Sequence, residues 1–198
     1  MSTPTPTPFE KALAAIDAAH ALDPNKTTVA GTELPYELHY ANKCTHYLAQ
    51  REPSASEPLA LAIRAQHFRR WEVPRASYPM TRLGYYAWRT YLKKRQGEQV
   101  EEICVEAGYT PETAARVGAL IRKEDLKSDE EAQVLEDVAC LVFLDDQFEA
   151  FEKEHDEDKI IGILRKTWGK MSERGREIAL GMDLGERPRE LVGKALAG

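Results

Sequence analysis

Apolar residues recur every three or four positions along almost the whole chain, and no long run alternates strictly between apolar and polar, so the pattern predicts an all-α fold. "PFEKALAAIDAAHALDP" gives a first helix, opened by Pro8 and stopped near Asp23 and Pro24. "KTTVAGTELP" reads as a connection. A second helix runs from about Pro35 to Gln50, with Leu38, Ala41, Thr45 and Leu48 at core spacing and His39 and His46 seven residues apart on one face. A third follows the serines of "PSASEP" and carries Leu59, Ile63 and His67 on to Arg70. Residues 71 to 81 hold two prolines and read as a loop. The fourth helix spans Thr81 to Ala107 and ends at Gly108; the fifth starts at Thr110 and Pro111 and reaches "LIRKED". "SDEE" predicts a capping box for a sixth and most apolar helix, "VLEDVACLVFLDDQFEAF", expected at the centre of the bundle. Asp156 and Ser172 are expected to cap two more, and residues 187 to 197 to form a last short one.

A chain of 198 residues suits one domain with a real core. Residues 1–8, rich in threonine and proline, read as a disordered lead-in, and residues 9–198 as a single all-α helical bundle. No apolar run approaches the roughly 20 residues that span a bilayer, and "MSTPTPTP" lacks the regions of a signal peptide, so a cytoplasmic or nuclear location without a membrane partner is expected. Cys44, Cys104 and Cys140 lie far apart in helical stretches, as buried thiols in a reducing compartment do.

Net charge is −6, yet the window from residue 64 to residue 95 runs the other way. It holds nine basic side chains against one acid, Glu72, together with seven aromatic residues, Trp71 among them. On the fourth helix Arg82, Arg89, Lys93 and Gln96 fall on one stripe beside Tyr85 or Tyr86. A stripe of cations needs anions against it. They are either the chain's own, with Glu136, Asp137, Asp145 and Asp146 as the candidates, or a bound phosphate or carboxylate with a flat group on the rings. "LRKTWGKMSERGR", residues 164 to 176, is basic too and reads as a second wall of the same site.

His46, His67 and Asp137 are the one set that reads as metal ligands drawn from separate helices. With the helix order and "EAQVLEDVACLVFLD", they resemble the HD-domain superfamily of metal-dependent phosphohydrolases, which implies an HD-like fold and a divalent metal on those three residues. The chain departs from that pattern. Phe68 stands where an aspartate should follow His67, and "LIRKED" offers Arg122 and Lys123 where many members have another histidine. At closer range "AQHFRRWEVPRASYP", "GYYAWRTYLKK", "LIRKEDLKSDEEAQVLEDVACLVFL" and "LRKTWGKMSERGR" resemble a family of small microbial proteins known as a domain of unknown function, some labelled similar to glutamyl-tRNA synthetase. No glycine-rich loop or parallel-sheet pattern supports that label.

Two functions follow. The first is an enzyme-like protein that binds and hydrolyses an anionic small molecule, with His67 as acid or base, Glu72 or Asp137 orienting it, and Arg70, Arg75, Arg82, Arg89, Lys93, Arg122, Lys123 and Trp71 holding the ligand. The second uses the same pocket, without chemistry, to recognise a nucleotide or RNA. A third reading makes every arginine an internal partner. His20, on the alanine-rich first helix, and His155 read as structural.

Overall fold

The computed structural model describes residues 5–197, so positions 1–4 of the expected lead-in lie outside the described residues. Side chains that can accept a backbone N–H set most helix starts. Thr7 accepts from the N–H of Glu10, whose carboxylate takes the N–H of Thr7 in return, and this box opens α1 (Pro8–His20). Thr7 and Pro8 therefore belong to a helix start and not to a disordered lead-in. Ser56, Thr81, Thr110, Asp156 and Ser172 cap α3 (Glu57–Arg64), α4 (Arg82–Ala107), α5 (Pro111–Arg122), α8 (Glu157–Lys170) and α9 (Glu173–Leu180). At α6 (Glu130–Val142) the cap is Asp129, one residue later than "SDEE" suggests, and it takes the N–H groups of Glu131 and Ala132. The chain ends with α10 (Glu186–Leu196).

The all-α expectation is corrected in one place. The connection after α1 folds into a β-hairpin, β1 (Lys26–Val29) paired antiparallel with β2 (Thr32–Pro35), with Val29 opposite Thr32. Ala30 and Gly31 both take positive φ at its tip, 48° and 81°, the geometry that matches a two-residue turn to strand twist. Both strands are largely exposed, so the hairpin carries no buried alternating face, and only its threonines, Val29 and Gly31 signal it.

Next comes α2 (Tyr36–Arg51), which packs on α3 and α6. Its buried face is Tyr40, Ala41, Cys44, Tyr47 and Leu48; Leu38 is only half-buried and Thr45 is exposed, so the expected core positions are half right. α4 and α5 form an antiparallel pair joined at Gly108, whose φ of 107° lies in the left-handed region that favours glycine. α6 lies inside, against α2, α8 and α9, with nine of its thirteen residues buried. Beyond Val142 the helix widens into a π-helical stretch, Phe143–Gln147, and resumes as α7 (Phe148–Lys153). Apolar side chains from α1 through α10 join one continuous core. Among the described residues no helix is long and apolar enough to cross a membrane.

Candidate functional site

The third helix was expected to reach Arg70, and it stops at Arg64. The cause is a buried carboxylate on a neighbouring helix. Glu37, 3% exposed, takes the backbone N–H groups of Arg69 and Arg70 at 2.9 and 2.6 Å and that of Trp71 at 3.3 Å. Those three donors form a concave nest, and the Glu37 side chain is its resident anion. His67 and Arg69 adopt positive φ, 62° and 47°, to turn the chain into this shape. Glu37 is held in turn by His20, fully buried, whose Nδ1 lies 3.2 Å from the carboxylate and whose Nε2 lies 2.9 Å from the Arg64 carbonyl.

The turn places His67 and Arg70 where they line two adjoining cavities, together with Tyr40 and Gln147. The His67 ring stacks on Tyr40 at 4.2 Å, and its Nε2 accepts a hydrogen bond from the Arg70 guanidinium at 2.8 Å. Arg70 lies over the Trp88 ring, 4.7 Å from its centroid. On one side is a cavity of about 350 Å³ lined by Tyr36, Trp71, Trp88 and Arg75, with Asp23 and Glu37 at its base. On the other is a cavity of about 450 Å³ lined by Arg89, Lys93 and Gln96 of α4, Lys123 after α5, Glu136 and Cys140 of α6, and Lys170 of α8. Both volumes fall in the range of small-molecule sites.

Charge in the second cavity is one-sided. Glu136 is its one acidic lining residue, and it is committed to Lys123 and, at 3.4 Å, to Lys170. Arg70, Arg89 and Lys93 have no carboxylate partner among the described residues, so they repel one another across the cavity. Burial, followed by the charges of Lys123 and Arg89, pulls the Lys93 ammonium below its usual range. Burial, then Arg70, Arg89 and Lys123, holds His67 well below the ordinary histidine value of 6.5. Burial pushes the Cys140 thiol up to about 12, which leaves it a neutral lining group and not a nucleophile.

The nine cations of the basic window divide cleanly. Arg64 pairs with Asp17, Arg69 and Arg95 with Glu72, and Lys94 with Glu98. Arg70, Arg75, Arg82, Arg89 and Lys93 pair with no carboxylate among the described residues. None of the four acids proposed as internal partners serves them: Asp137 holds Arg51, Glu136 holds Lys123 and Lys170, Asp145 holds Lys43, and Asp146 holds His39.

Of the expected ligand-binding residues, Arg70, Arg89, Lys93 and Lys123 line the cationic cavity, and Arg70, Arg75 and Trp71 line the aromatic one. Arg75 also fastens the loop, donating to the carbonyls of Tyr78, Pro79 and Thr81. Two others lie elsewhere. Arg122 is taken by Glu101 and Glu124, and Arg82 is exposed beside the Tyr86 hydroxyl. From "LRKTWGKMSERGR", Thr167 and Lys170 reach the cavity, whereas Arg165 and Arg176 bond backbone carbonyls.

The expected catalytic and metal sets are not brought together. Glu72 is bound by Arg95 and Arg69 and does not orient His67, whose Nε2 is already occupied by Arg70. His46 is exposed and bonded to Gln50. Asp137 is fully buried and saturated by Arg51, Gln133 and Ser172. Phe68 is 1% exposed and packs edge-on against His20, so an aspartate at this position would meet the core. Among the described residues no group of three or more His, Cys, Asp or Glu is placed to hold a metal ion.

Sequence reasoning missed Glu37, Gln66 and Gln147, and it read His20 as structural without its partner. A glutamate in the first turn of a helix reads as a dipole complement, and only the fold shows the turn it organises. Gln147 reaches both cavities from the π-helical stretch, and Gln66, 7% exposed, lines the cationic one with its amide nitrogen buried and without a partner.

One pH effect follows from His67. Its folded pKa lies below its unfolded value near 6.5, so the unfolded chain takes up a proton that the folded chain refuses. This contribution to stability is present above about pH 6.5 and is lost as the pH falls toward the folded value. In His67→Gln, stability measured by urea unfolding should fall less steeply between about pH 6.5 and pH 5 than in the wild type.

The model of a family described as a domain of unknown function, DUF4202, matches residues 10–192. No curated protein and no solved structure matches the chain.

Proposed function

We propose that this chain, which belongs to the DUF4202 family, binds a phosphorylated small molecule in the cavity between α4, α6 and α8. One observation carries the reading: Arg70, Arg89 and Lys93 converge on the cavity without a carboxylate partner among the described residues, while its other cations, Lys123 and Lys170, are paired with Glu136. Keeping three like charges together costs stability in the empty protein, and a polyanion is the partner that turns the cost into binding energy. A cavity of about 450 Å³ suits a small molecule better than a nucleic-acid track.

The HD-domain likeness contributes a helical frame to this reading and nothing to its chemistry. Hydrolysis along that route needs ligands that Phe68 does not offer and that Asp137 has already given to Arg51 and Ser172. Recognition is the favoured function. Calorimetric titration with pyrophosphate and, separately, citrate tests it. Pyrophosphate should bind, more tightly than citrate, and its affinity should fall as sodium chloride rises from 50 to 300 mM or so. No heat with pyrophosphate at low salt would overturn the proposal.

A further inference from the structure

We infer that the ligand is a phosphate ester of a flat ring, its phosphate among Arg70, Arg89 and Lys93 and its ring in the neighbouring cavity against Trp71 and Trp88. This rests on the anion reading above and adds the other half of the molecule.

The two cavities are not independent. They share Tyr40, His67, Arg70 and Gln147, so a molecule that fills one lies against the wall of the other. Arg70 is the hinge of the arrangement, because its guanidinium reaches the cationic side while its flat face lies 4.7 Å from the centroid of Trp88 on the aromatic side. The cavities differ in chemistry. The larger gathers cations, and the smaller presents the rings of Tyr36, Tyr40, Trp71 and Trp88 with two buried carboxylates beneath. Those carboxylates are already spoken for: Glu37 holds the turn, and Asp23 holds Asn25 and the N–H of Glu37. What remains for a ligand is π surface.

A single ligand with an anionic end and a flat ring matches both cavities. A second phosphate in the smaller cavity would meet Asp23 and Glu37, and a purely aliphatic group would leave its aromatic faces without a stacking partner.

Two kinds of molecule have this chemistry: nucleotides and phosphorylated pyridines. Titration calorimetry with inorganic phosphate, ribose 5-phosphate, adenosine and cytidine monophosphates, and pyridoxine 5′-phosphate separates them. Pyridoxine phosphate is used because, with no aldehyde, it forms no imine with Lys93, Lys123 or Lys170. At least one ring-bearing phosphate should bind roughly tenfold or more tightly than ribose 5-phosphate, the gain expected of base stacking. Trp71→Ala should erase that gain and leave the affinity for ribose 5-phosphate unchanged. Trp71→Phe, which keeps an aromatic face, should retain most of it and guards against a folding defect in the alanine variant. Preference for the nucleotides or for pyridoxine phosphate assigns the source of the ring. If ribose 5-phosphate binds as tightly as every ring-bearing probe, the inference is overturned and the anion site stands. If none of the phosphates binds, both fall.

Discussion

Asp137→Ala should lose about 3–5 kcal/mol of folding stability, while its folded fraction binds pyrophosphate as the wild type does. The carboxylate is completely buried on α6 and accepts from Arg51 Nε at 2.7 Å, Gln133 Nε2 at 2.9 Å, the Ser172 N–H at 2.8 Å and the Ser172 hydroxyl. Four donors occupy the lone-pair positions that a cation would need. Ser172 in turn caps α9, and the first turn of that helix sits directly on the carboxylate: a Cβ at Gly175 would lie 2.8 Å from Asp137 Cγ. Removing the carboxylate strands the Arg51 guanidinium, itself mostly buried, and detaches the start of α9 from α6. Guanidinium unfolding should show a lower midpoint. Dialysis of the wild type against a chelator should leave its own midpoint where it was. A chelator-induced loss as large as that of the variant would mean that Asp137 holds a metal after all.

What the sequence makes legible is local. Helix starts are set by a side chain three residues or fewer from the N–H it accepts, so Ser56, Thr110, Asp156 and Ser172 are readable from the string of letters. The α4 stripe is readable for the same reason, and Arg89, Lys93 and Gln96 do share a cavity. What is not legible is every decision taken at long range. α3 ends early because of Glu37, roughly thirty positions back in the chain. Arg122 looked like Lys123, its neighbour, but Glu101 lies across the α4–α5 pair and claims it. His39 and His46 share a helical face by spacing, yet one is buried against Asp146 of the π-helical stretch and the other is in solvent, bonded to Gln50. His20 was unreadable in principle: an alanine-rich helix offers no hint that its last residue will be the buried partner of a carboxylate seventeen positions on.

Arg89→Ala combined with Lys93→Ala should reduce pyrophosphate affinity at least 100-fold, and the unliganded protein should be no less stable for it. Each charge-assisted bond to an anion contributes about 1.5–3 kcal/mol, and about 1.4 kcal/mol is a factor of ten, so two such bonds account for the loss with margin. The second half of the prediction separates a binding site from an internal network. Neither side chain has a carboxylate partner among the described residues, and Lys93 is repelled by Lys123 and Arg89, so truncating the pair relieves repulsion and leaves no carboxylate stranded. Arg122→Ala is the contrasting case, since it strands Glu101 and Glu124. It should lower the unfolding midpoint and leave pyrophosphate affinity within about twofold of the wild type, because it lines neither cavity. Cations from one acidic chain then answer oppositely in the two assays. A drop in stability with unchanged affinity in the Arg89/Lys93 variant would place these cations in the scaffold instead. The expected pattern, affinity lost at no cost to the empty fold, is the signature of residues kept for a ligand at the expense of the fold.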